Sequence, residues 1–215
     1  MYISRSLNPK LTELLKYFPA VAIVGARQVG KSTWLKNTLE SEFNSVVFDP
    51  LIDVGNARQD PELFLRSRRT HKPSKASSKP LILDEIQYVP QLVPVLKRLI
   101  DEDRTPGQYI LTGSQQWEVM KSLSESLAGR VAFIDLEGFN LSEISHQSEH
   151  SSWLEKWIED PVHFVSHRHE RLELNRSIHE VIWRGSFPEV TFLPLGMSPT
   201  YFASYMRTYV ERDVR

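Results

Sequence analysis

Apolar residues come in short runs along the first two thirds of this chain. Val21-Ala22-Ile23-Val24, Leu81-Ile82-Leu83 and Tyr109-Ile110-Leu111 are continuous apolar stretches too short for helices, which is how strands buried on both faces read. Residues 45–48 and 131–136 add two further β-type runs. Between the runs lie segments of helical spacing at 32–39, 61–69, 91–101 and 117–127. Another, 9–17, opens the chain, with Asn8 placed to cap it and Pro9 in its first turn. Strand and helix alternate five times. That alternation predicts an α/β fold: a parallel five-stranded sheet covered by helices on both faces.

The pattern changes near residue 142. Residues 142–152 are polar and Ser-rich, and 153–158 regain helical spacing with Trp153 and Trp157 one turn apart, read as a buried stripe. His163, His167, His169 and His179 follow. A polar connector is the expectation there, because no Cys or carboxylate pattern completes a metal ligand set. A last helix is predicted over 199–214, with Tyr201, Phe202, Tyr205, Met206, Tyr209 and Val210 along one face. The predicted organisation is a core over 1–141, a connector over 142–176 and the start of a helical C-terminal region over 177–215. An exposed aromatic face on the 199–215 helix calls for a cover: a further C-terminal segment, a partner, or self-association.

Composition narrows the field little. The 215 residues are 40% hydrophobic and 25% charged, ordinary for a globular protein. With no cysteine, disulfides and thiolate-bound metals are excluded. No apolar run is long enough to span a membrane, and the first residues carry no signal-peptide core, so a cytoplasmic location is expected. A net charge of −1 exerts no general pull toward nucleic acid. One island, residues 66–79, is basic and free of acids. Such a loop can contact nucleic-acid phosphates, but no aromatic residue is interleaved for base stacking, and a solvated loop is the preferred reading.

Candidate chemistry is concentrated after the first and third apolar runs. Gly25-Ala26-Arg27-Gln28-Val29-Gly30-Lys31-Ser32 fits the phosphate-loop pattern G-x-x-x-x-G-K-[ST]. It stands between a predicted strand and a predicted helix, the context in which backbone N–H groups and a helix N-terminus converge on a phosphate. Residues 25–33, ending at Thr33, are the candidate nucleotide contacts. Lys31 supplies a point charge for the terminal phosphates, and Ser32 a hydroxyl for Mg²⁺. Asp84 and Glu85 close the third run. At the carboxyl end of a parallel strand they face the ligand crevice. Asp84 is expected in the Mg²⁺ shell, and Glu85 as the base that orients and deprotonates a water. In a sheet of order 5-1-4-3-2, the end of the fourth strand lies between them and the loop. Thr112 and Ser114 are the candidate sensors there, with Ser114 preferred. Arg130 is either a helix-end cation or an arginine finger reaching a neighbouring subunit's site.

Together, Gly25 to Ser32, Leu83-Asp84-Glu85-Ile86-Gln87, Leu111-Thr112-Gly113-Ser114 and Leu127-Ala128-Gly129-Arg130 resemble the prokaryotic AAA-type ATPases that carry a DUF4143 C-terminal region. Gly185-Ser186-Phe187-Pro188-Glu189 and Tyr209-Val210-Glu211-Arg212-Asp213 look like the start of that region. The resemblance implies a P-loop NTPase core of the additional-strand class, with ATP and Mg²⁺ as ligands and Lys31, Ser32, Asp84 and Glu85 in their usual roles. Members of the family commonly run to about twice this length, so a C-terminally truncated chain is expected.

The leading expectation is Mg²⁺-dependent ATP hydrolysis coupled to a conformational change in an unknown partner. A module that holds ATP without hydrolysing it is the main alternative. A small-molecule kinase is less favoured, since an acid next to Asp84 suits water as acceptor. A GTPase would need an [NT]-K-x-D element, which the sequence lacks.

Overall fold

The computed structural model describes residues 2–39, 45–47, 54–68, 80–113, 125–148, 153–167 and 172–210, with backbone alone at 45–47 and 210. The chain folds into two compact units. Among the described residues, one comprises Pro9–Glu137 and the other 2–8 with 138–210.

The first unit is built on β1 (Ala20–Val24), β2 (Ser45–Val47), β3 (Leu81–Asp84), β4 (Tyr109–Gly113) and β5 (Val131–Asp135). All pairings are parallel. β1 lies between β4 and β5, β3 lies beside β4, and β2 pairs with β3. Every residue of β1, β3 and β4 is buried, as continuous apolar runs require when both sheet faces are covered. With a two-residue period, Ala20, Ala22, Leu81, Leu83, Tyr109 and Leu111 share one face. They join a core with residues from α3 (Val54–Gln59), α4 (Pro61–Arg68) and α5 (Leu92–Glu102). From α5 this core takes Leu92, Val93, Leu96, Leu99 and Ile100, a stripe of helical spacing. Val21, Ile23, Ile82 and Ile110 alternate with the first set and are buried too, as are Leu11 of α1 (Asn8–Tyr17) and Trp34 and Leu35 of α2 (Lys31–Thr38).

Expected elements are met at 9–17, 61–69 and 91–101 to within a residue or two at each end. The helix α3 has no counterpart among the expected elements, because six residues with Gly55 in the first turn carry too little periodicity. Most of the helix expected over 117–127 lies outside the described residues, as does most of the basic island. Within the described part of that island, Arg66 pairs with Glu62 and Glu102, and Arg68 stacks over Phe64.

In the second unit the N-terminal segment is held by a buried acid 138 positions away. Glu143, in the short helix α6 (Leu141–Ile144), accepts from the guanidinium of Arg5 at 3.1 Å, from the Ser6 amide at 2.8 Å and from the Ser6 hydroxyl at 3.0 Å. Glu143 also closes a capping box with Asn140. Burial lowers the Arg5 pKa, while Glu143 pulls it back up, and the Arg5 guanidinium also lies over the Phe139 ring. This network explains why residues 2–8 join the unit that starts at Gly138, in place of the expected continuous core over 1–141.

The expectation of a buried Trp153–Trp157 stripe is not met. In α7 (Trp153–Glu159) Trp153 is 67% and Trp157 43% exposed, although Trp153 leans toward Phe164 of α8 (Pro161–Ser166). The rings of His163 and His167 stack on each other with centroids 3.7 Å apart. Among the described residues no group of three or more His, Cys, Asp or Glu is placed to hold a metal, and no helix is long and apolar enough to cross a membrane. α9 (Ile178–Arg184) and α10 (Pro188–Phe192) precede the last helix. That helix, α11 (Ser198–Tyr205), continues as a π-helical turn over Met206–Val210. Its aromatic face packs on Phe187, which meets Tyr201, Phe202 and Tyr205 at 6.2, 6.1 and 4.9 Å between centroids. Part of the stripe's cover therefore comes from the corner between α9 and α10. Gly185 in that corner has φ +69°, and a Cβ there would lie 3.2 Å from Phe202.

Candidate active site

The loop over residues 25–30 leaves the carboxyl end of β1 and returns into α2. Two features of its backbone set its shape. A Cβ on Gly25 would lie 2.2 Å from the carbonyl oxygen of Leu136, so only glycine allows the chain to pass the end of β5 this closely. Gln28 and Gly30 both have positive φ, 61° and 98°, and the first helical bond follows from Trp34 N–H to Gly30 O at 2.8 Å. Val29 is buried and anchors the loop's far side.

Replacing Gly25 by Ala is therefore expected to force the loop and the end of β5 apart. Overpacking of this kind costs about 1–3 kcal/mol. Gly55→Ala is the control, because nothing lies within 4 Å of its added methyl and alanine suits a helix better than glycine. Thermal unfolding should show the first variant destabilised and the second not. Nucleotide affinity should fall in Gly25→Ala alone.

Lys31 opens α2 and is 5% exposed. Its Nζ donates to the carbonyls of Gly25 and Ala26 at 3.0 and 3.1 Å. Desolvation by burial holds its pKa below the ordinary lysine value; the charges of Glu85 and Asp84 act in the opposite direction, and Arg27 adds to the lowering. The buried ammonium is thus bonded to two loop carbonyls.

The neighbouring side chain, Ser32, donates from Oγ to Asp84 Oδ2 at 2.6 Å. Asp84 ends β3 and is 5% exposed. Its other oxygen, Oδ1, accepts from the hydroxyl of Thr112, which is fully buried in β4. The same Thr112 oxygen accepts the backbone N–H of Glu85 at 3.1 Å. One hydroxyl thus ties both acids to the adjacent strand. Of the two candidate sensors, Thr112 is the one seen at the acids. Ser114, the one preferred on sequence, lies outside the described residues.

Glu85 has φ 60° and ψ 45°, a left-handed conformation uncommon for a residue with a Cβ. It caps a 3₁₀ turn, Ile86–Tyr88, and the side-chain amide of Gln87 in that turn donates to Glu85 Oε2. Tyr88 is held from two sides. Arg58 of α3 donates to its carbonyl at 3.0 Å, and Arg27 of the loop reaches its hydroxyl at 3.5 Å. No sequence pattern assigns Arg58 or Tyr88 a role, and Gln87 enters the sequence reading only as part of the family-like stretch Leu83 to Gln87. The position of Arg58 depends on α3, which periodicity does not reveal.

Arg130 is not brought to this site. It precedes Val131, which pairs with Ala20 at the amino end of β1, whereas the loop leaves from Val24 at the carboxyl end. At about 3.3 Å per residue, that is about 13 Å along the strand. Its guanidinium forms a forked pair with Asp101 of α5, both contacts at 2.8 Å, and donates to Ala128 O at 2.9 Å. Within this chain Arg130 is the ion-pair partner of Asp101.

Strand, glycine-shaped loop, helix, and an acid at the end of β3, one strand removed from β1, define the P-loop class of α/β fold. The Walker-type ATPase PABY2304 of Pyrococcus abyssi has a similar fold, with a TM-score of 0.54 at 15% identity over 96% of this chain and 73% of that one. Residues 17–145 match the AAA domain family, and the chain belongs to it. Two uncharacterized mycobacterial proteins, from Mycobacterium bovis and Mycobacterium tuberculosis, are each 30% identical over 151 residues, 70% of this chain. The match covers 32% of each, so the chain corresponds to about a third of their length.

Proposed function

We propose that this chain binds Mg²⁺-ATP at the loop over residues 25–33 and hydrolyses it, with the energy used to change the conformation of an attached region or partner. The observation that carries the reading is the bond from Ser32 to Asp84, with Glu85 next in the chain and tied to the same Thr112 hydroxyl. A hydroxyl and a carboxylate within 2.6 Å form a hard oxygen donor pair, which suits Mg²⁺. When bound there, the ion would neutralise charge on the terminal phosphates.

The chain's own groups supply the rest. Lys31 trades its loop carbonyls for β- and γ-phosphate oxygens. Glu85 orients a water and accepts its proton as the water oxygen bonds to the γ-phosphorus. The bond from that phosphorus to the bridging oxygen breaks, and ADP leaves with the electron pair. Residues 177–215 are read as the opening of the C-terminal region that accompanies ATPases of this kind.

Phosphate release from the purified chain, measured with ATP and with GTP and no added acceptor, tests the proposal. Mg²⁺-dependent release with ATP is expected. Tight ATP binding with no release would favour the non-hydrolysing module, and release only with an added acceptor would favour a kinase.

Self-association with shared sites belongs to the same proposal. If Arg130 exchanges Asp101 for a neighbour's phosphate, activity per chain should rise with protein concentration and fall in Arg130→Ala. Activity independent of concentration, with Arg130→Ala unaffected, would remove the finger.

A further inference from the structure

We propose that Gln87 is the positioning residue for the base, acting as a clamp that fixes the Glu85 carboxylate. The inference deepens the hydrolytic reading and rests on it.

The backbone of Glu85 is held in a left-handed conformation that fixes the direction of its Cβ, and its amide is tied to Thr112. That settles where the side chain starts but not where it ends, because a glutamate has three further rotatable bonds. Among the described residues, the only side-chain donor to its carboxylate is the Gln87 amide, which takes Oε2. Oε1 is thereby left for the proton of a water. The amide can face only one way, since the flipped orientation would oppose its oxygen to a carboxylate oxygen.

The clamp is itself braced. Ile86 is fully buried, and the 3₁₀ turn is closed by bonds from Tyr88 N–H to Glu85 O at 3.1 Å and from Val89 N–H to Ile86 O at 2.9 Å. The Gln87 carbonyl, Oε1, is buried against Gly113, where an added Cβ would lie only 3.1 Å away, and it meets no donor among the described residues. Burying an unpaired acceptor costs stability. The fold accepts that cost at the point where the amide's other end meets the candidate base, and orphaned polar atoms of this kind mark places where function rather than stability sets the residue. Gly113 ends β4 and so belongs to the same strand as Thr112. Two contacts at this strand end therefore act on one target: Thr112 holds the backbone of Glu85, and Gln87, seated against Gly113, holds its carboxylate.

The test is a double-mutant cycle on Mg²⁺-ATP hydrolysis with Gln87→Met, Glu85→Gln and the pair. Methionine keeps the length of the side chain and removes both polar atoms. Misplacing a reacting group by about 1 Å can cost about 10²-fold in rate. Gln87→Met is accordingly expected to lower kcat by about 10–100-fold, with KM and ATP affinity near wild type and a thermal midpoint no lower. In the Glu85→Gln background the same change should have no further effect, because the clamp then has no base to hold.

A fall of equal size in both backgrounds, or a fall in ATP affinity instead of kcat, would make Gln87 a structural residue and overturn the proposal. Unchanged or raised turnover in Gln87→Met, with Glu85→Gln inactive, would overturn the clamp and leave the base standing. Undiminished turnover in Glu85→Gln would remove the base, and the clamp with it. Gln87→Asn, which keeps the amide but shortens the arm, serves as the control for folding. Its expected defect is also confined to kcat.

Discussion

Glu85→Gln is expected to lower ATP hydrolysis by about 10²–10⁴-fold, the usual contribution of a positioned general base, and to leave Mg²⁺-ATP binding near wild type. Glutamine keeps the shape of the side chain, and its carbonyl can still accept from the Gln87 amide that meets Oε2 in the native protein. The left-handed backbone at Glu85 and its bond to Thr112 do not involve the carboxylate, so the fold should persist. Steady-state phosphate release beside a nucleotide-binding titration separates the two effects. Equal turnover in variant and wild type would reduce Glu85 to an acid at the start of a turn.

Lys31→Ala is the second large effect. In the structure the ammonium rests on the carbonyls of Gly25 and Ala26, and its burial disfavours the charged form. Removing it therefore gives up little that holds the fold. The bound state loses a charged hydrogen bond to phosphate, worth about 1.5–3 kcal/mol, or about 10–100-fold in affinity. A titration with a fluorescent ATP analogue should show that loss, with the thermal midpoint close to wild type. ATP affinity equal to wild type would sink the assignment of the loop.

Much of the site is legible in the sequence because its chemistry is local. Gly25 to Ser32 is one continuous stretch, and the apolar runs at 21–24 and 81–83 state the parallel α/β arrangement on their own. The reason for Gly25 is not legible. It is set by the Leu136 carbonyl, more than a hundred residues away.

The choice between Thr112 and Ser114 likewise lies beyond the sequence, since both fit a glycine-centred turn. Contact with Asp84 and Glu85 depends on which residue faces the acids across β3 and β4, and Thr112 is the one seen there. Gln87 belongs to the stretch that carries the family resemblance, but its contact with a left-handed Glu85 is not legible, because the turn Ile86–Tyr88 is held by tertiary contacts to Arg58, Arg27 and Gly113.

From residue 141 on, the short helices other than the one at 153–159 escape the sequence for a different reason. They are too brief for periodicity, although their caps are written in the chain. Asn140 with Glu143, Asp160 before Pro161, and Ser177 with Glu180 each cap a helix in the structure. The pairing of residues 2–8 with Glu143 is a contact between distant charges that no local pattern announces.

The most direct measurement follows the fate of bound nucleotide. Wild type and Glu85→Gln are loaded with radiolabelled ATP and Mg²⁺, excess nucleotide is removed, and the protein is quenched in acid after increasing times. Wild type should convert its bound ATP to ADP and phosphate, whereas Glu85→Gln should retain ATP. Bound ATP that survives unchanged in wild type, or that disappears equally fast in both proteins, would contradict hydrolysis by Glu85 at this site.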